Sequence, residues 1–412
     1  VTISKTHGNV SASAHAYATY GVLLGSVFNN YTLGHKFGLL SINLNKRFND
    51  KKMASKLNFI FGALLNHWTQ PAKTSLPYFI AGYTYGIECG DYTYAGNSAL
   101  SYLIFQLYLG IPIPDIVTTY DTYSSFLKRV KDEHVIWRTK LVQDYCSILV
   151  GNLTIFDHSF YIEKLKPLQG QVAWAQYLLF NMQINFLFGK YAKAVTSGND
   201  AYKLKDALLG QIYRIDLIFY HAISISNYLS SSETIEGTKP YIKKLKKYNT
   251  QLKKWVSLCK QNFTCKYLIV NAELNRILKK PERALELYEQ AIENSQLNGY
   301  IHLEALSFEL AGKCYLTKNM DVVAKNYLHQ ARNLYQDWGA TAKADHLVEY
   351  YPNLFIELFE TGHSPSIQEI TTLSLGKDVD TYSIIKTLQN LSAETDLKKL
   401  QKKMLETLIK IA

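Results

Sequence analysis

The segment KPERALELYEQA, residues 280–291, decides how this chain is expected to fold. Ala284, Tyr288 and Ala291 follow one another at intervals of four and three residues, so on a helix they share one face. The alanines allow a second helix to approach closely, and the tyrosine between them fills the remaining space. The segment therefore predicts a helix packed against a neighbour along a stripe of small and aromatic residues.

A second predicted helix pair follows this segment. Gly312 and Tyr315 lie on its first helix, Ala324 and Ala331 lie on its second helix, and Lys318-Asn319-Met320 forms the turn. Small and aromatic residues in this order are typical of tetratricopeptide units. The interval between corresponding alanines of the two units exceeds the roughly 34 residues of such a repeat, so we expect extended helices or loops.

Three upstream segments repeat the order of an apolar helix, a short turn and a helix that begins with tyrosine. Their turns are Asn29-Asn30-Tyr31, Gly90-Asp91-Tyr92 and Gly189-Lys190-Tyr191. Gly and Asn readily adopt the left-handed conformation that ends a helix. The periodic pattern is interrupted at residues 110–114, 151–170 and 230–240. The predicted fold is all-α, a solenoid of tetratricopeptide-like helix pairs wound as a right-handed superhelix, with a C-terminal linker helix.

The domain organisation follows from where helical periodicity is lost. Residues 1–352 are predicted to form the solenoid, with a sub-boundary within 111–171 left open, and residues 353–380 to form a linker. Residues 381–412 are predicted to form one or more linker helices that lead to a missing downstream domain. Their apolar stripe consists of Leu397, Leu400, Met404, Leu408 and Ile411. Such a stripe either pairs with a second copy, giving a homodimer, or folds back on the solenoid.

Composition excludes several classes of protein. The net charge of +11 comes largely from lysine, and the densest run, within 243–254, has the spacing of a solvated helix face without interleaved aromatic residues. Nucleic acid is therefore a disfavoured partner. The five cysteines are scattered and lack metal-binding spacing. No apolar run reaches the length of a membrane span or signal sequence, so we expect reduced cysteines and a cytoplasmic location.

No motif for catalysis is found. A phosphate-binding loop and the catalytic motifs of kinases are absent from the sequence. His67-Trp68 is interpreted as a packed structural pair, and Cys259 and Cys265 have no metal-ligand spacing with His221 or His302. We expect no catalytic, cofactor-binding or metal-binding residue, and no cofactor.

Three glutamates are candidate acid/base groups, namely Glu273, Glu304 and Glu309. On adjacent helices such residues pair more often with lysines, so we predict ion pairs with Lys266, Lys313 or Lys343. Trp338 is predicted to end one helix and to pack its indole over the next.

Several local motifs resemble one family. They are His67-Trp68 with Pro71, Gly90 to Gly96, Asn249 to Trp255, Asn262-Phe263 with Lys266-Tyr267, Ala272-Glu273, Glu304 to Leu306, Glu309 to Ala311, and Trp338 to Lys343. Together they are similar to the helical region of large multidomain sensor histidine kinases. In that architecture a serine/threonine kinase-like domain and a nucleoside-triphosphatase module precede the helical region, and a GAF domain and a histidine kinase follow it. Here Cys259 to Gln261 interrupts the usual apolar, proline-containing stretch after Trp255.

The resemblance implies a function in signalling. This segment would be a non-catalytic interaction and signal-coupling module that links a nucleotide-dependent module to sensor and histidine kinase domains. Its partners would be neighbouring domains of the same polypeptide, or a protein or peptide ligand. The alternative left open is a helical arm that binds a small-molecule effector in a nucleotide-dependent signalling regulator.

Overall fold

A computed structural model describes residues 6–168, 171–231 and 238–355. This part of the chain contains seventeen α-helices, and successive helices pack against each other. The helices are α1 (Ser11–Ser26), α2 (Tyr31–Phe48), α3 (Lys51–Ile60), α4 (Leu76–Cys89), α5 (Tyr92–Leu109), α6 (Ile113–Leu127), α7 (Glu133–Val150), α8 (His158–Leu165), α9 (Val172–Leu187), α10 (Tyr191–Lys203), α11 (Tyr213–Ser231), α12 (Thr238–Val256), α13 (Lys260–Ile277), α14 (Pro281–Asn298), α15 (Ile301–Leu316), α16 (Asp321–Asp337) and α17 (Thr341–Tyr350). The predicted all-α solenoid is confirmed.

The turns between paired helices follow from local backbone chemistry. Gly90 has a φ of 72° and ends α4, and the Asp91 side chain accepts a hydrogen bond from the Tyr94 backbone at the start of α5. Asn29 has a φ of 57°, and the Asn30 side chain caps α2. These residues satisfy or redirect backbone groups that a helix end leaves unpaired. The pairing of these helices is thus encoded in turns of two to four residues.

One stretch differs from the sequence expectation, and a second has irregular helix geometry. The predicted interruption at 151–170 contains the short helix α8, which Asp157 caps and whose Tyr161 and Leu165 are fully buried. After α3 the chain continues as a π turn at Phe61–Leu65 and a 3₁₀ turn at Asn66–Trp68. A π turn shifts the side chains that follow it relative to a regular helix, so it changes where His67 and Trp68 point.

Helices distant in sequence also meet. Trp338 ends α16 as predicted, but its indole Nε1 donates to the Ile111 carbonyl at 3.1 Å, and the Ile113 backbone donates to the Trp338 carbonyl at 2.8 Å. The Thr341 hydroxyl donates to the Val150 carbonyl at 2.7 Å. The start of α17 is therefore anchored to the turn before α6 and to the end of α7.

One compact unit comprises Val1–Leu354 and includes the open sub-boundary region 111–171. Phe355–Ala412 forms a separate unit, of which the structure describes only the first residue. Most of the predicted linker at 353–380, the C-terminal helix at 381–412 and its apolar stripe consequently lie outside the described residues. Within the described ranges, no helix combines the length and apolarity required to cross a bilayer.

Candidate functional site

The predicted repeat positions lie mostly at helix interfaces. Ala284, Tyr288 and Ala291 are fully buried on α14. An added Cβ at Gly312 would lie 2.9 Å from Leu328, which shows how closely α15 and α16 approach. The remaining interface positions are Tyr315, Ala324 and Ala331, all buried.

The turn positions have a different environment. Gly90 and Asp91 form the α4–α5 turn described above, whereas the Tyr92 side chain is 54% exposed. Tyr92 therefore begins a helix without contributing fully to the core, although its ring lies 6.0 Å from that of Phe126.

Glu309 occupies the centre of a buried charge cluster. Its carboxylate accepts from Lys313 at 2.6 Å and Lys343 at 2.9 Å, and from the Tyr335 hydroxyl at 2.8 Å. Burial raises the pKa of Glu309, but the two lysines outweigh it and hold the pKa at about 2. Burial lowers the pKa of Lys343 to about 8 despite the attraction of Glu309. The predicted lysine pairing of Glu309 is confirmed.

The corresponding predictions for the other two glutamates are wrong. Glu273 pairs with Arg276 at 2.6 Å rather than with a lysine, because the arginine lies one helical turn away on the same face of α13. Lys266 instead pairs with Asp216 of α11 at 3.0 Å. Glu304 accepts a hydrogen bond from Gln296 at 2.9 Å.

A repeated arrangement connects two of these carboxylates. Glu273 and Glu309 lie on the first helix of successive pairs, each with a cation one turn later and a tyrosine hydroxyl from the second helix. The tyrosines are Tyr288 and Tyr335. Both carboxylates are buried and bound by fixed donors, which suits helix–helix anchoring. Sequence reasoning missed this pattern, although a basic residue three or four positions after each glutamate was visible.

Asn262, at the start of α13, joins segments that are far apart in the chain. Its side-chain nitrogen donates to the carbonyls of His67 at 2.6 Å and Gln70 at 2.8 Å, and its oxygen accepts from the Ala72 backbone at 2.8 Å. The Tyr108 hydroxyl donates to the Asn262 carbonyl at 3.0 Å. We call Asn262 with these four partners the Asn262 node.

Aromatic rings surround the node. Trp68 stacks on Tyr31 at 4.4 Å between ring centroids and also contacts Trp255 and Phe263, while its Nε1 donates to the Gly210 carbonyl at 3.0 Å. His67 is fully buried, and burial lowers its pKa to about 3. A neutral, enclosed ring suits packing, in agreement with the interpretation of His67-Trp68 as a structural pair. The structure thus brings together motifs separated by about half of the chain.

The lysine run lies on α12. Lys243, Lys246, Lys247, Lys253 and Lys254 are exposed. This is the solvated face expected from their spacing. Lys244 is the exception in the run, since it is half-buried and its ammonium donates to Asn199 at 2.8 Å.

Cysteine and histidine side chains do not cluster for metal binding. Across the described ranges no group of three or more His, Cys, Asp or Glu residues is arranged to hold a metal ion. All five cysteines are free, and Cys265 donates to the Ala291 carbonyl inside the α13–α14 interface. Burial raises the pKa of Cys146 and Cys265 to about 12, so both are thiols at neutral pH.

No protein-family model matches the chain. It is similar to the hybrid signal transduction histidine kinase G of Dictyostelium discoideum, with 21% identity over 125 residues. The similar part covers 30% of this chain and 4% of that protein.

Proposed function

We propose that this chain is a helical interaction and coupling module of a signalling protein, in which it connects neighbouring domains, including a histidine kinase. The similarity to a hybrid signal transduction histidine kinase supports the signalling context. The resemblance of the motifs around Asn262 and Trp338 to sensor kinases supports the position of the module between a nucleotide-dependent domain and a kinase.

The Asn262 node is the observation that carries the mechanism. It ties the start of α13 to residues about 190 positions earlier by three side-chain hydrogen bonds. An amide that bonds to three backbone groups resists rotation and sliding of the two segments. A displacement imposed on the early helices would therefore move the later helices with them, which is what a coupling element requires.

The test uses the complete reading frame that contains this segment. We expect it to encode a histidine kinase domain, and we expect Asn262→Ala to change kinase autophosphorylation by about fivefold or more, the range of typical coupling energies. Asn275→Ala is the matched control, since Asn275 lies on the same helix and its side chain, among the described residues, bonds to Asn271 one turn earlier. Its autophosphorylation should equal that of the wild type.

Stability is measured in parallel, because Asn262→Ala leaves buried backbone groups unpaired at about 1–3 kcal/mol each. Thr341→Ala removes a single exposed hydrogen bond, between α17 and α7. It should therefore lower the free energy of unfolding less than Asn262→Ala does. A reading frame without a kinase domain contradicts the proposal. So does a folded Asn262→Ala protein whose autophosphorylation matches that of the control.

A further inference from the structure

A cleft lies between α5, α7 and the π turn at Phe61–Leu65. Its volume is about 400 Å³, within the usual range of small-molecule sites. Phe59, Leu64, Phe105 and Ile212 supply apolar walls, while Ser101 and Arg138 are among its polar groups. A cleft of this size and mixed character is suited to a ligand with both an apolar body and a polar end.

Arg138 is held in place but not neutralised. Its Nε donates to the Gln176 side chain of α9 at 2.7 Å, and its guanidinium lies 6.0 Å from the centre of the Tyr213 ring. In the described part of the chain, no carboxylate lies within ion-pair distance of Arg138. The guanidinium retains donors that can bind a carboxylate in a two-pronged manner.

The Tyr213 hydroxyl is a second donor at the same place. Tyr213 is buried and lines the cleft, and its hydroxyl proton has no acceptor within the described ranges, since the neighbouring Arg138 guanidinium can only donate. Burial raises the pKa of Tyr213 well above its usual value, with partial opposition from Arg138, so the hydroxyl stays protonated. A buried donor without a partner is costly, and a ligand oxygen would satisfy it.

The acidic group in the cleft is engaged elsewhere. Asp132 lines the cleft, but its Oδ1 accepts from the His134 and Val135 backbones and caps α7. Arg138 lies six residues further along α7, about 9 Å along the helix axis. Asp132 therefore serves the N-terminus of α7, and Arg138 and Tyr213 supply hydrogen-bond donors away from it.

We propose that this cleft binds a small amphipathic carboxylate, whose carboxylate contacts Arg138 and Tyr213 and whose apolar body lies against Phe59 and Phe105. This site does not depend on the coupling function, since a ligand-binding module and a coupling module can each exist without the other. Binding here would nevertheless reach α5, the helix whose Tyr108 contacts the Asn262 node.

The experiment is calorimetric titration of the full chain with 4-phenylbutyrate, its amide, the corresponding amine, and acetate. We expect the phenylbutyrate to bind at about millimolar concentration or below. The amide and the amine should bind about tenfold more weakly, as the loss of a charged hydrogen bond requires. Acetate should be weaker too, because it lacks the apolar body.

Arg138→Gln should weaken phenylbutyrate binding by about tenfold, whereas Arg129→Gln, on an exposed arginine outside the cleft, should not change it. Asn97→Trp fills the cleft from a half-buried position and should abolish binding. If Arg138→Gln unfolds, Arg138→Lys keeps the charge without the guanidinium fork and should bind with intermediate affinity. No binding by the wild type, or equal binding of carboxylate and amide, overturns the proposal.

Discussion

The first helix pair and the last helices are held together by opposite kinds of contact. In α1–α2, backbones meet directly: a Cβ on Gly21 would lie 2.7 Å from the Gly34 carbonyl oxygen, and one on Gly34 would lie 2.6 Å from that of Gly21. In α13–α17, buried carboxylates centred on Glu273 and Glu309 bind cations and tyrosines. The same helix-pair architecture therefore contains two kinds of contact. The contact between α1 and α2 depends on the absence of side-chain atoms, and the contacts among α13–α17 depend on paired charges.

The two kinds of contact should differ in how substitutions and pH change the stability of the fold. A contact between backbones tolerates no added atom but does not respond to pH. A buried ion cluster tolerates changes of shape better but depends on the protonation of each member. The following substitutions separate the two kinds of contact.

Glu309→Gln should have the largest effect. It leaves Lys313 and Lys343 close together without a carboxylate, and Lys343 is only 1% exposed. Removing one partner of a buried ion pair costs about 3–5 kcal/mol. The free energy of unfolding in urea is the measurement.

The matched control is Glu286→Gln. Glu286 pairs with Arg283, and the side chains are exposed by 60% for Glu286 and 53% for Arg283. Exposed pairs contribute about 0–1 kcal/mol. Equal losses for Glu309→Gln and Glu286→Gln would show that the Glu309 cluster does not stabilise the fold.

Gly34→Ala should follow in size. Its Cβ meets a backbone oxygen that cannot move without shifting α1, so we expect a loss of about 1–3 kcal/mol. This loss should occur although alanine favours helix formation over glycine. Ala16→Leu, at an exposed position of α1, is the control and should be nearly neutral. A stabilised Gly34→Ala protein would rule out the close backbone contact.

The pH dependence should distinguish the two regions next. Glu309 has a folded-state pKa of about 2 against an ordinary value of 4.5, so its contribution is complete above pH 4.5 and is lost as pH falls towards 2. Unfolding free energies across that interval should decline less in Glu309→Gln than in the wild type. Gly34→Ala should keep the wild-type slope, since its contact contains no titrating group.

Lys343→Met should have the smallest effect on stability, about 1 kcal/mol, because Glu309 retains Lys313 and loses one hydrogen bond. The Lys343 pKa is lowered to about 8 from 10.5, so the folded protein binds fewer protons than the unfolded chain between these values. The free energy of unfolding should therefore rise between pH 8 and pH 10.5 because of Lys343. That gain should be missing in Lys343→Met, as measured by unfolding at both ends of the interval.

Much of the fold could be predicted from the sequence because helix ends depend on local chemistry. The predicted turn Gly90-Asp91-Tyr92 matches the end of α4 at Cys89 and the start of α5 at Tyr92. Gly90 and Asp91 act on backbone groups within a few residues, so their effect is readable without knowing the rest of the molecule. The helix α8 was missed because it is short and lies in a segment, residues 151–170, that begins and ends with glycine.

The candidate sites were less predictable. Nothing in the spacing of Arg138 and Tyr213 indicates a shared cleft, since they lie on different helices. Glu273 was predicted to pair with one of three lysines, yet it pairs with Arg276, and Lys266 pairs with Asp216. Several cations compete for each carboxylate, and the choice depends on distances that only the packed helices define.

The sequence by itself determined the helix pairs, their turns and the small residues at their interfaces, because these depend on contacts between near neighbours. The tertiary structure alone decided that Asn262 bonds to His67, Gln70 and Ala72, and that Trp338 bonds to the turn at Ile111. An amide side chain can bond to any free backbone N–H or carbonyl, and an indole N–H can donate to any free carbonyl. Which group it meets is settled by how the whole solenoid curves, and that curvature is the sum of many small packing angles.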